Sequence, residues 1–129
     1  MKKKNCFSID TYLHFEKLIQ HKINKRTILI IFIKSYLVTG FGVDWLKTLI
    51  KLIKKNNKDF KIRFYVDSGS DHGLSILLLR ENIDYLKLKS NKIVLKKINQ
   101  IAKKNKVLLN PNFNIVDVAN IKNFSDLKI

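Results

Sequence analysis

A chain of 129 residues fits one domain, and a domain of this size buries roughly two-thirds of the surface that its unfolded chain exposes. A hydrophobic content of 46% excludes wholesale disorder. The net charge is +16, from 26 basic and 10 acidic residues, yet 23 of the basic residues are Lys and only Arg26, Arg63 and Arg80 are Arg.

Readers of phosphate and base edges favour the planar Arg fork. A chain rich in Lys, Ile and Asn is what an AT-rich coding sequence produces unaided. Compositional bias is therefore the first explanation of the charge, and an anionic partner such as nucleic acid or ribosome the second. Cys6 is the only cysteine, which excludes an intrachain disulfide and fits a reducing compartment. The longest apolar run, residues 28–33, falls far short of the ~20 residues of a membrane span. The expectation is a cytoplasmic protein without membrane association.

In chain order, residues 1–7 form a basic start expected to fray. Asp10, His14 and Glu16 interrupt the stretch after it, so no signal-peptide core is present. Ser8 or Asp10 is placed to cap a helix over about 10–24, with Leu13, Leu18 and Ile19 inward. Residues 27–33 are a fully apolar run of the kind that makes a buried strand. Residues 35–42 read as a loop, longer than the usual two to six residues between strand and helix. Next come a helix over about 44–57, a strand over 61–66 that ends on Asp67, a short helix, and a strand over 83–89. Ser90 or Asn91 caps a helix to about 105, and residues 107–109 form a strand stopped by Asn110-Pro111. Residues 112–129 form a C-terminal extension that adds an edge strand or drapes over the body.

The order α-β-α-β-α-β-α-β implies a single α/β domain with a mainly parallel four-stranded sheet and helices on its faces. Two strand orders fit, flavodoxin-like or half of a β/α barrel. The second leaves one sheet face in need of cover, by the first helix or by a second copy in a homodimer.

Residues 61–81, KIRFYVDSGSDHGLSILLLRE, carry the densest chemistry. Ile62, Phe64, Tyr65 and Val66 suit a strand buried on both faces. Ser68, Gly69 and Ser70 break it. Ser70 is placed as helix N-cap and Asp71 in the first turn, where the helix dipole favours a carboxylate. Ligands of open parallel sheets bind outside the carboxyl ends of the strands. Asp67, Ser68, Ser70, Asp71 and His72 are thus the candidate ligand-binding residues, with Tyr36, Thr39 and Gly40 on the opposing loop. An anionic small molecule is the ligand they would suit. The competing explanation is local: the same residues begin helices for stability alone.

The run of strand, Asp67, small turn, Gly73, Leu74-Ser75-Ile76 and Leu79-Arg80 resembles short, uncharacterised bacterial single-domain α/β proteins. Over about residues 10–110 the resemblance implies a single α/β domain and brings no catalytic residue.

Sharper chemistry is not supported. Gly40-Phe41-Gly42 follows a strand, but Trp45 holds the third glycine position of a dinucleotide fingerprint. No phosphate-binding loop, nucleophile elbow or zinc-protease motif occurs. Asp67, Asp71 and His72 are too few for a metal cage, so no metal and no cofactor is expected. Lys51, Lys54, Lys55, Lys92, Lys96 and Lys103 lie on outward helix faces and would be the nucleic-acid contacts, although the aromatic residues fall mostly in buried strands and not among them. The residues favour a non-catalytic binding or interaction domain. A phosphate-ligand binder or enzyme using the 67–72 turn is the alternative, and an electrostatic nucleic-acid or ribosome binder the third reading.

Overall fold

In a computed structural model that describes residues 3–21 and 26–121, the chain runs β1 (Asn5–Ser8), α1 (Tyr12–Gln20), β2 (Ile28–Ile33), α2 (Ser35–Phe41), α3 (Val43–Asn56), β3 (Lys61–Asp67), α4 (His72–Leu79), β4 (Tyr85–Lys87), α5 (Lys92–Lys104), β5 (Leu108–Leu109) and β6 (Asn114–Asp117), followed by one 3-10 turn over Val118–Asn120. The strands form one sheet, β5-β4-β3-β2-β1-β6, with every pair parallel. The sequential order is that of a half β/α barrel, not the flavodoxin-like one, with β6 added beside β1.

Among the described residues six strands replace the expected four, because both ends of the chain contribute. Residues 5–7, expected to fray with the basic start, form β1 together with Ser8, and this strand pairs with β2 on one side and β6 on the other. Its Cys6 and Phe7 are buried. The expected C-terminal extension supplies β6, while residues 122–129 lie outside the described chain, as do residues 22–24 of the expected first helix. Residues 35–41, expected as loop, form α2, because Leu37 and Val38 bury against the core and outweigh the helix-breaking Gly40. Gly42 then takes φ +95° and turns the chain into α3.

Alternation along the strands sorts side chains into two cores. Phe7, Leu29, Ile31, Ile33, Phe64, Val66 and Leu86 pack with residues of α1 to α5, among them Leu18, Val38, Ile53, Leu78 and Ile98. Cys6, Ile30, Phe32, Tyr65 and Tyr85 form a second cluster, joined by Ile28 and Phe113, that contains no helical residue among those described. The described helices therefore cover one face only, in place of the expected two. Crossovers of one hand between sequential strands put every helix on the same side.

The face without helices is covered by the sheet's own curvature. Five strand spacings of about 4.8 Å would set the edges of a flat sheet about 24 Å apart. Residues 110–113, which join β5 at one edge to β6 at the other, reach only about 18 Å when fully extended. The sheet must curl. Phe113, in that link, lies across the concave face with its ring 4.9 Å from Tyr85 and 5.8 Å from Tyr65, both edge-on. Asn110 fixes the start of the link: at φ +49° its side chain accepts from Leu88 N at 2.8 Å and donates to Leu88 O at 3.0 Å. At the other end Asn114 N donates to Lys4 O at 2.8 Å.

Burial pushes the Cys6 thiol up to about 12, partly opposed by a backbone hydrogen bond and by Lys87. Burial, with Cys6 and Asp67 nearby, pushes the Tyr65 phenol up to about 12. Both pKa values exceed their unfolded values, so the two groups' contribution to stability is complete below about pH 9. It declines as pH rises from there to about 12, because the unfolded chain ionises first. Native protein at pH 8 should therefore not react with a thiol-disulfide reagent until denaturant is added, and alkaline unfolding should track loss of the Cys6 thiol proton.

Candidate functional site

Residues facing the concave side change character at the carboxyl ends of the strands. Ser8 pairs in register with Phe32 and with Asp117, and Asp67 pairs with Lys87. Beyond the ladder, Asp10 lies two residues past β1 and Lys34 one residue past β2. Asp10, Lys34, Asp67, Lys87 and Asp117 thus come from five different strand ends, in the concave-facing phase of the carboxyl-end rim, here called the mouth. Beneath them lie Phe32 and Tyr65, ring centroids 4.9 Å apart.

Lys34 is the hub. Its Nζ donates to Asp10 Oδ1 and to Asp117 Oδ2, both at 3.0 Å, and lies 5.7 Å from the Tyr36 ring centre. Burial alone would lower the ammonium's pKa, but the hydrogen bonds to Asp10 and Asp117 outweigh it and hold it above the ordinary lysine range. Lys87 Nζ lies 5.8 Å from the Phe32 ring centre, on the concave side. The Ser8 hydroxyl, in the layer below, is fully buried and has no partner among the described residues.

The residues of the 67–72 turn have separate local tasks. Asp67 Oδ1 accepts from Gly69 N at 2.8 Å, tightening the turn at the mouth. Ser68 is buried, its hydroxyl 2.7 Å from Ser75 Oγ and donating to Lys87 O at 2.8 Å. Asp71, not Ser70, is the N-cap of α4 and accepts from Leu74 N at 2.9 Å. Ser70 is exposed. His72 Nε2 lies 2.9 Å from Ser90 Oγ on the surface. On the other side Tyr36 is exposed beside Lys34. Thr39 shares its hydroxyl proton between Ser35 O and Tyr36 O within its own helix. Gly40 is exposed in α2, where an added Cβ would meet nothing within 4 Å among the described residues.

Of the eight candidates, Asp67 and Tyr36 adjoin the mouth. Lys34, Lys87 and Asp117 were not singled out by sequence reasoning, and Ser8 and Asp10 were expected only as caps of the first helix, a task that Thr11 performs by accepting from His14 N. The available signal was parity: each occupies the concave-facing phase of its strand at or just past the apolar run.

The lysines divide. Lys51, Lys54 and Lys55 line a groove of about 680 Å³ between α3 and the segment just past α4, together with Lys47, Arg80 and one acid, Glu81. Glu81 pairs with Lys47 at 3.3 Å. Lys92, Lys96 and Lys103 lie on α5 and do not line that groove. Among the described residues no group of three or more His, Cys, Asp or Glu side chains is placed to hold a metal ion, and no helix is long and apolar enough to cross a membrane. No protein-family model matches the chain, and comparison with curated proteins finds no relative.

Proposed function

We propose that the protein is a binding domain for a small charged molecule, seated at the carboxyl-end mouth with its anionic group on Lys34 and Lys87. What supports this reading is the Lys34 bridge that joins the ends of β1, β2 and β6, with the Lys87 ammonium near the Phe32 ring and a buried, unpartnered Ser8 hydroxyl in the layer below. In open parallel sheets this is the end where ligands bind. Binding is favoured over catalysis by the state of Lys34. A nucleophilic or basic lysine needs a depressed pKa, whereas two carboxylates hold this one charged. Ser68 and Asp71 are likewise committed to local hydrogen bonds.

The test is a nitrogen–proton NMR titration with malate, glutamate and glycerol phosphate on the wild type and on Lys87→Gln. Lys87 is half-buried at the mouth and its loss leaves the Lys34 bridges in place. At least one probe should shift the amides of residues 10, 34, 67 and 87, with affinity reduced about tenfold by loss of one charge-assisted contact. Absence of shifts for every probe, or equal affinity in Lys87→Gln, would remove the proposal.

A second reading rests on the groove beside α3, where five cations face one acid among the described residues: an electrostatic nucleic-acid contact. Titration with a single-stranded RNA oligonucleotide in the same experiment separates it. Shifts along residues 47–55 that weaken steeply with salt would support it.

A further inference from the structure

The opposite end of the curled sheet carries a second cavity, of about 420 Å³, a volume suited to a small ligand. Lys3, Lys4, Arg26 and Arg63 line it, and no carboxylate does among the described residues. Its apolar wall is Ile28, Ile30 and Tyr85, the lower edge of the concave aromatic cluster.

Compositional bias does not account for this set. The chain uses Lys 23 times and Arg three times, yet two of the three arginines meet here. Arginine is the side chain whose planar fork matches a phosphate in two-point contact. Arg63 is also oriented: its Nη1 donates to the Tyr85 hydroxyl at 2.9 Å, and the Tyr85 ring is held by Phe113. The nearby acid, Asp84, is turned to the backbone, where its Oδ2 accepts from Phe64 N at 2.9 Å.

We propose that this amino-end cavity binds a small organic phosphate, with the phosphate group on Arg63, Arg26 and Lys4 and the apolar part against Ile28 and Ile30. The site is independent of the carboxyl-end mouth. Its positive lining supplies the anion contacts, and its apolar wall distinguishes an organic ester from the free ion. Tyr85 is a positioning residue, since it acts through the Arg63 guanidinium.

The experiment titrates full-length protein with phenyl phosphate and with inorganic phosphate, read by amide shifts and calorimetry. Phenyl phosphate should bind with millimolar or better affinity, more tightly than inorganic phosphate, and should shift residues 4, 28, 63 and 85. Arg63→Gln should weaken it about tenfold or more. Arg63→Lys should recover part of the loss, Tyr85→Phe should give an intermediate loss, and Lys97→Gln, on the exposed face of α5 and not among the residues that line the cavity, should bind as wild type does. Arg63 and Lys4 are exposed, so Lys4→Gln serves as a second variant should Arg63→Gln melt early. Three results would overturn the proposal: no binding at about 10 mM phenyl phosphate, equal affinity in Arg63→Gln and Lys4→Gln to that of wild type, or shifts concentrated on residues 47–55 of α3. Failure here with success of the Lys87→Gln experiment would leave the carboxyl-end proposal standing, and the reverse would leave this one.

Discussion

Replacement of Phe113 by alanine is expected to lower stability by about 2–3 kcal/mol, somewhat less than the ~3–5 kcal/mol for a fully enclosed phenylalanine, because this ring is half-buried. The effect should exceed what its place in a four-residue link suggests. Phe113 touches both Tyr65 and Tyr85 edge-on, and the described helices do not cover that face. Its loss would expose the aromatic floor from which Tyr85 orients Arg63 and over which the carboxyl-end charges sit. Phe113→Leu should retain roughly half of the lost stability. Urea unfolding of both variants checks the ordering, and an alanine variant as stable as wild type would mean that the concave face needs no such cover.

Asn110→Ala should cost about 2–3 kcal/mol: two hydrogen bonds at ~1 kcal/mol each, with a further contribution from a left-handed backbone that alanine adopts less readily. The amide and carbonyl of Leu88 lose their side-chain partners. Asn110→Gly removes the same hydrogen bonds but accepts φ +49° without strain, so it should be about 1 kcal/mol more stable than the alanine variant. Equal stability of the two variants would show that the left-handed turn at the head of the link carries no energy.

The strands over residues 28–33 and 61–67 were legible because burial on both faces demands apolarity, which is continuous over residues 28–33 and over Phe64-Tyr65-Val66. Asn91 as a cap was legible for a local reason, a side chain accepting from the amide three residues on. What escaped was short or non-local. The Cys6-Phe7 strand is four residues long and follows three lysines, so no window contrasts it with its flanks. The edge strand expected within residues 112–129 is present as Asn114–Asp117; what escaped there was its partner, the β1 edge on which it forms. The α2 helix was hidden by two glycines, since its support comes from Leu37 and Val38 against the sheet and not from propensity.

The site divides along the same line. Asp67 was visible at the end of its own strand. The Lys34 bridge to Asp117 joins residues 83 apart in the chain and depends on the register of β2, β1 and β6. No local pattern encodes that register. The lysines illustrate the converse. Their number is legible in the sequence, but only folding divides them between a groove that gathers Lys51, Lys54 and Lys55 and a helix where Lys92, Lys96 and Lys103 stand apart.

Both proposed sites depend on a sheet that bends until a four-residue span can bridge its margins, so the most direct measurement is of through-space proton contacts across the bridge. Strong cross-peaks are predicted from the Phe113 ring to the Tyr65 and Tyr85 rings, together with backbone contacts between Cys6 and Ile115. A Phe113 ring with no such cross-peaks, while contacts between Phe7 and Ile31 persist, would mean an open sheet and would contradict the curled one.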